Sequence, residues 1–309
     1  MTPPGAPRSF SFLVNPLSGG GAAPGAVVPV ARVLRDAGAT VEVTYSPGPL
    51  ATLDLVREAV ARDDVVVAVG GDGMVSSVAG EVSRLGGTLG IVPAGRGNDF
   101  ARMVGLPADP TDVAEVLLSA EAAPVDLVSV TCADGSTRVV AGSVYAGVDA
   151  RAAEIVDRSH WLPRRLQYPY AAVRALATFT PASYSLTVDG VTGTVRVATV
   201  VIANSAFYGS GMRIAPDASV SDGLLDVVVI GAAGRLDLIR SLPKVYDGAH
   251  IDLPEVAVLR GASVTLELTS GAGVPVGADG EPLPALAGGT TGGGTLRAEV
   301  LPGALSLLH

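Results

Sequence analysis

A small set of acidic residues and two glycine loops carry the chemistry open to this chain. Asp72, Asp99 and Asp126 each follow an apolar, strand-like run, and further acids stand in Asp222–Asp226 (DGLLD) and Asp279–Glu281 (DGE). Gly70, Gly71 and Gly73 lack a Cβ, so the backbone around Asp72 can turn sharply and let a bulky anion approach. Met74–Leu85 then carries apolar residues at helical spacing (Val75, Val78, Ala79, Val82, Leu85), which sets a helix N-terminus, with its orphan amides and positive dipole end, against that turn. This favours phosphate. A carboxylate in the same loop would repel bare phosphate, and Asp72 makes best sense if a divalent cation bridges it to a nucleotide. Asp279 and Glu281, one residue apart, point to the same side if the stretch is extended, and a carboxylate within reach of a substrate hydroxyl can take its proton. Each feature also has a plainer reading on its own. Asp-Gly is a common hairpin turn, Asp99 can cap a helix, and Asn15-Pro16 can be an ordinary turn.

The elements that must position these residues change character along the chain. Ser9–Val14, Val41–Tyr45, Val65–Val69 and Thr88–Val92 read as strands, alternating with helices over 27–37, 52–61 and 74–85. That alternation predicts a parallel sheet covered on both faces, with ligands bound beyond the carboxyl ends of its strands. The loops after Val14 (Asn15-Pro16-Leu17-Ser18-Gly19-Gly20-Gly21), Val69 and Val92 all leave such ends. After a helix over 111–120 come strands at 125–131, 137–145, 183–188, 194–204, 224–230, 263–268 and 296–301, punctuated by Asp134-Gly135, Asp189-Gly190 and Asp222-Gly223. The fold expected is α/β: a nucleotide-binding parallel-sheet domain over 1–124, then an antiparallel β-rich sandwich domain over 125–309 whose last strand can return to the first. A helical insert interrupts the second domain between Ala150 and Thr178, and the glycine-rich segment 287–294 reads as a mobile loop.

Composition narrows the class of partner. At 309 residues there is length for two cores, and no apolar run reaches the roughly 18 residues that a transmembrane helix needs. A net charge of −9 argues against nucleic acid and against general adhesion to anionic membranes. Any membrane contact should be local, and the candidate is the insert, where Arg151, Arg158, Arg164, Arg165 and Arg174 interleave with Trp161, Leu162, Tyr168 and Tyr170. The plainer alternative is a solvated helical hairpin with inward-packed aromatics. The first residues lack the basic and long apolar regions of a signal peptide, and the single cysteine, Cys132, reads as a packing residue; both suit the cytoplasm.

Taken together, the blocks resemble one family. Gly70-Gly71-Asp72-Gly73 is similar to the nucleotide loop of the diacylglycerol kinase catalytic-domain superfamily, which includes bacterial lipid kinases and sphingosine and ceramide kinases. Asn15-Pro16 with Ser18-Gly19, PAGRGNDFAR over 93–102, Asp126, NSAFYGSGMRIAP over 204–216, Asp222–Asp226, Gly248-x-His250 and Asp279–Glu281 resemble further family blocks in the same order. The resemblance implies a lipid kinase that uses ATP and Mg²⁺, with a cleft between two domains. It implies nucleotide contacts from Asn15, Ser18, Gly70, Gly71, Asp72, Gly73, Gly95 and Asn98. It implies magnesium held, directly or through water, by Asp72, Asp99 and Asp126, and a second, structural magnesium at Asp222 and the Leu224 carbonyl. Asp279 would be the general base, with Glu281 its neighbour and orienter. The acceptor would be diacylglycerol or a similar long-chain lipid; peripheral contact with the inner face of the membrane and a homodimer are kept open. The alternatives are an NAD kinase, which shares the GGDG loop, and a nucleotide-binding regulator without turnover. Departures from the family pattern fall at Arg96, in place of a threonine, at Gly142-Ser143, where many relatives have asparagine, and at Ser210, which interrupts a glycine cluster.

Overall fold

The computed structural model describes residues 8–46, 48–159, 161–271, 273–288 and 294–309. The chain divides into two compact units, one formed by Met1–Leu127 with Pro302–His309 and the other by Val128–Leu301. In the first unit the order is β1 (Ser9–Val14), α1 (Ala23–Asp36), β2 (Thr40–Tyr45), α2 (Pro49–Ala61), β3 (Val65–Gly70), α3 (Asp72–Leu85), β4 (Thr88–Pro93), α4 (Asp99–Met103), α5 (Pro110–Ser119) and β5 (Ala122–Thr131). Strands β2, β1, β3 and β4 pair side by side, all parallel. Phe10, Phe12, Val14, Val67 and Val69 turn to α1 and α5, while the alternate residues Leu13, Val66 and Ala68 are equally buried. A sheet hidden on both faces needs continuous apolar strands, which is what VVVAV supplies. The helix after β3 begins two residues earlier than its apolar spacing indicates, because Gly71 takes the cap position and Asp72 suits the positive end of the helix.

The second unit takes the end of β5 from Val128 and contains β6 (Thr137–Val140), β7 (Ser143–Gly147), α6 (Val148–Asp157), α7 (Arg164–Thr178), β8 (Ala182–Val188), β9 (Val191–Ala203), β10 (Leu225–Gly231), α8 (Arg235–Asp247), β11 (Val256–Gly261), β12 (Ser263–Ser270), β13 (Val274–Ala278), β14 (Glu281–Leu286) and, as far as Leu301, β15 (Thr295–Leu308), whose later residues belong to the first unit. Its pairing is antiparallel throughout. Strand β9 is the branch point: residues 191–197 pair β8, residues 199–203 pair β7, and residues 197–203 also pair β10. The strand expected over 137–145 is broken at Ala141 and Gly142, a bend that matters below. Strand β15 outruns its expected end at Leu301, and Ser306 and Leu307 pair in parallel with Thr88 and Leu89 of β4. Within the glycine-rich stretch expected as a mobile loop, residues 289–293 lie outside the described residues.

Candidate active site

Three loops meet at the carboxyl ends of β1, β3 and β4. Backbone bonds tie them: Asn15 N–H donates to Val69 O (3.2 Å) and Ala94 N–H to Gly70 O (2.9 Å). The approach is close enough to require glycine, since a Cβ on Gly95 would lie 2.3 Å from the Gly71 Cα. Ser18 belongs to the same cluster, its Oγ lying 3.1 Å from where a Gly70 side chain would start. Two of the expected nucleotide contacts also shape their own loops. Asn15 Oδ1 accepts from Leu17 N–H (3.0 Å), and Asn98, at φ +53°, accepts from Gly95 N–H (2.7 Å). Arg96, the departure from the family block, is exposed.

Asp72 and Asp99 are brought together at this point. Asp72 is the first residue of α3 and its Oδ1 accepts from Phe100 N–H (3.0 Å); Asp99 opens α4, is buried, and its Oδ1 accepts from Arg102 Nη1 (2.5 Å). The second oxygens of both turn to the bare face of Gly97. A Cβ built there would stand 2.9 Å from Asp99 Oδ2 and 3.1 Å from Asp72 Oδ2. Two hard carboxylate oxygens facing one small gap suit a divalent cation of the magnesium type. The third expected ligand, Asp126, is buried on β5, where its Oδ1 accepts from Gly303 N–H (2.7 Å). Among the described residues no group of three acidic, histidine or cysteine side chains is gathered for a metal.

The second unit carries the other acidic candidates. Asp279 and Gly280 form the two-residue turn between β13 and β14, at φ +46° and +85°, so Asp279 and Glu281 are not aligned along one extended run. Glu281 starts β14 and is exposed. The Asp279 carboxylate is held by backbone instead: Ala141 N–H (3.1 Å) and Gly142 N–H (2.9 Å) donate to Oδ2, and Ser143 N–H (2.8 Å) to Oδ1. Gly280 N–H in turn donates to the Tyr145 hydroxyl (3.1 Å), a phenol whose pKa burial pushes further above its ordinary value.

Asp222 and Leu224, expected as a second magnesium site, are engaged differently. Asp222 accepts from the Leu224 N–H (3.1 Å) and pairs with Arg260 Nη2, while Arg260 Nε stands 3.3 Å from Asp226 Oδ1. Asp226 and, after it, Asp222 push the guanidinium's pKa up, and burial pushes Asp226 up even beside that cation. The guanidinium thus places positive charge between the two carboxylates.

The sequence reading missed the amides of residues 141–143, Arg260, and a half-buried polar cluster around Asp149. Asp149 accepts from Thr199 Oγ1 (2.6 Å) and from the Tyr208 hydroxyl (3.0 Å), and burial raises its pKa. Tyr208 stands edge-on to Tyr145 at 6.0 Å, and His250, whose pKa burial lowers, has Nε2 2.9 Å from Ile214 O. A lone aspartate after a glycine, as in Gly147-Val148-Asp149, gives little warning of such a cluster. In the insert, α6 and α7 pack together, and Trp161 is 71% exposed, edge-on to Tyr170 at 5.9 Å. Tyr170 accepts from Arg174 Nη1 (2.7 Å), whereas the side chains of Arg164 and Arg165 lie outside the described residues.

A parallel sheet whose strand-end loops bring paired aspartates to a helix N-terminus, in a chain that also carries a backbone-clamped aspartate, defines a phosphotransferase of the α/β nucleotide-binding class. Comparison with known proteins narrows the class. Residues 9–130 match the family model of the diacylglycerol kinase catalytic domain, and residues 142–309 that of the YegS C-terminal NAD kinase beta sandwich-like domain. A diacylglycerol kinase of Mycobacterium tuberculosis (H37Rv) is 33% identical over 279 residues, covering 88% of this chain and 89% of that protein. One from Bacillus subtilis (strain 168) is 27% identical over 209 residues, 63% of this chain and 65% of that protein. Among solved structures, a diacylglycerol kinase from Bacillus anthracis (Sterne) shares the fold with a TM-score of 0.69 at 18% identity, covering 98% of this chain and 97% of that chain. The chain belongs to the diacylglycerol kinase family of lipid kinases, in its YegS-like form.

Proposed function

We propose that this protein transfers the γ-phosphate of ATP, with magnesium, to the free hydroxyl of diacylglycerol or a similar long-chain lipid. The observation that carries this reading is the convergence of Asp72 Oδ2 and Asp99 Oδ2 on the open face of Gly97, at the loops beyond β1, β3 and β4. Asp72 and Asp99 would hold the cation, and Asp126 would act through water. Bound there, magnesium supplies positive charge to the phosphate oxygens. Ser18, Gly70, Gly71, Gly73 and Gly95 line the phosphate loops, with the N-terminus of α3 favouring negative charge, and Asn15 and Asn98 keep those loops in shape. A second, structural magnesium at Asp222 and the Leu224 carbonyl would compete with Arg260, which joins Asp222 to Asp226.

Asp279 is the proton acceptor. The lipid O–H gives its proton to the carboxylate as the oxygen bonds to the γ-phosphorus, and the bond to the β-phosphate oxygen breaks to release ADP with that electron pair. Glu281, exposed one residue beyond the turn, adds negative charge near it. The names of the relatives support a lipid acceptor, and the exposed Trp161 with the arginines of the insert supports peripheral contact with a membrane surface.

The test is to incubate the purified protein with labelled ATP, Mg²⁺ and a panel of dispersed lipids plus NAD. Label on diacylglycerol or another long-chain lipid, lost in Asp279→Asn while ATP still binds, is the expected result. Label on NAD alone would sink the reading.

A further inference from the structure

We infer that residues 141–143 form a backbone amide cradle that fixes the Asp279 carboxylate, and that Gly142 and Asn204 are positioning residues for phosphoryl transfer; this rests on Asp279 being the proton acceptor. The cradle is where the expected strand over 137–145 breaks. Successive N–H groups of Ala141, Gly142 and Ser143 converge on the two carboxylate oxygens at 3.1, 2.9 and 2.8 Å, and Asp279 N–H donates back to Ser143 O (3.1 Å). Several donors arranged around one carboxylate set its direction far more tightly than a single side-chain partner would. Direction is what proton abstraction needs, since the lone pair must meet the substrate O–H.

Gly142 makes this arrangement sterically feasible. A Cβ there would lie 2.5 Å from Asp279 Oδ1 and 3.3 Å from its Cγ, and all three nearest atoms belong to Asp279. Its φ lies outside the left-handed region, so the backbone itself accepts alanine and the cost of a methyl falls on the carboxylate. Asn204 holds the cradle from behind. It is fully buried at the end of β9; its Nδ2 donates to Ala141 O (2.8 Å) and its N–H to Gly142 O (2.8 Å), joined by Ser205 N–H at 3.2 Å. The carbonyls of the bend are thus fastened to one strand end while its amides grip the acid.

The experiment pairs Gly142→Ala and Asn204→Ala with Asp279→Asn in double-mutant cycles, reading kcat, the KM for ATP and the thermal midpoint. Gly142→Ala is expected to cut kcat about 10²-fold, the order found when a reacting group is misplaced by about an ångström, with an unchanged KM for ATP and a midpoint lowered because buried amides lose their acceptor. Asn204→Ala should lower kcat in the same direction, and its midpoint as well, because a buried carbonyl loses its donor. On the Asp279→Asn background both substitutions should have no further effect on residual turnover. Additive losses, or wild-type kcat in Gly142→Ala, overturn the inference and leave the proton acceptor standing. Wild-type kcat in Asp279→Asn alone overturns the proton-acceptor assignment, and the inference with it.

Discussion

Replacing Gly97 by alanine is the most direct perturbation of the proposed cation site. The added methyl would lie 2.9 Å from Asp99 Oδ2 and 3.1 Å from Asp72 Oδ2, inside ordinary carbon–oxygen contact, so it must fill the gap or spread the carboxylates by a few tenths of an ångström. A magnesium ion takes oxygens at about 2.0–2.1 Å and accepts little distortion, so either response removes it or loosens it badly. Losing one preorganised electrostatic stabiliser of a transition state costs about 3–4 kcal/mol, which converts to roughly 10²–10³ in kcat. Gly97 lies outside the left-handed region and its neighbours here are the two acids, so thermal stability should hold. The assay is lipid phosphorylation against increasing Mg²⁺, with Mn²⁺ bound in the presence of ATP followed by EPR. Wild-type turnover at an unchanged magnesium requirement would refute the Asp72–Asp99 site.

Two further outcomes concern stability. Glu81 on α3 accepts from Arg84 Nη2 (2.7 Å), Arg84 Nε (2.9 Å) and Arg57 Nε (2.7 Å); the Arg84 bonds lead in holding its pKa below the usual 4.5, against burial. A depressed carboxylate stabilises the fold above its unfolded pKa, and that contribution disappears as pH falls through the folded value. Glu81→Gln should therefore cost about 1–2 kcal/mol in urea unfolding at pH 7, discounted because both arginines are half exposed, and almost nothing well below pH 4.5; an equal loss at both pH values would contradict the ion-pair account. For Arg260, magnesium or chelator should leave the thermal midpoint of an Asp72→Asn protein within about 2 °C, whereas adding Arg260→Ala should lower it by several degrees and make it respond to magnesium. A midpoint that rises with magnesium while Arg260 is present would restore a metal at Asp222.

Some parts of this molecule are legible in sequence because their signals are local. VVVAV, the helical spacing after it and the glycines between them specify a buried strand, a turn and a helix without long-range information, and the expected parallel sheet is the one found. Helix α8 was not among the expected elements; only Leu238 and Val245 of it are buried, so its apolar signal is weak. The orientation of Asp279 was beyond reach for a different reason. DGE alone is compatible with an extended run or a two-residue turn, and the choice is made by amides 136–138 residues away. Arg260 is illegible likewise, because its position opposite Asp226 follows from the register of β10 with β11.

Strand β15 imposes an order on biosynthesis. The first unit takes Ser306 and Leu307 beside β4, the Gly303 amide onto Asp126, and the Ala304 carbonyl as acceptor for Ser83 Oγ (2.7 Å). On a ribosome, the residues up to Leu127 emerge first and can collapse around β1, β3 and β4, yet they must wait through the synthesis of Val128–Leu301 for the strand that completes their sheet edge. Until then the edge of β4 is an unpaired template, open to a chaperone or to the wrong strand. Asp126 acquires its Gly303 partner only when residues 302–309 arrive, so one of the proposed magnesium residues is set last.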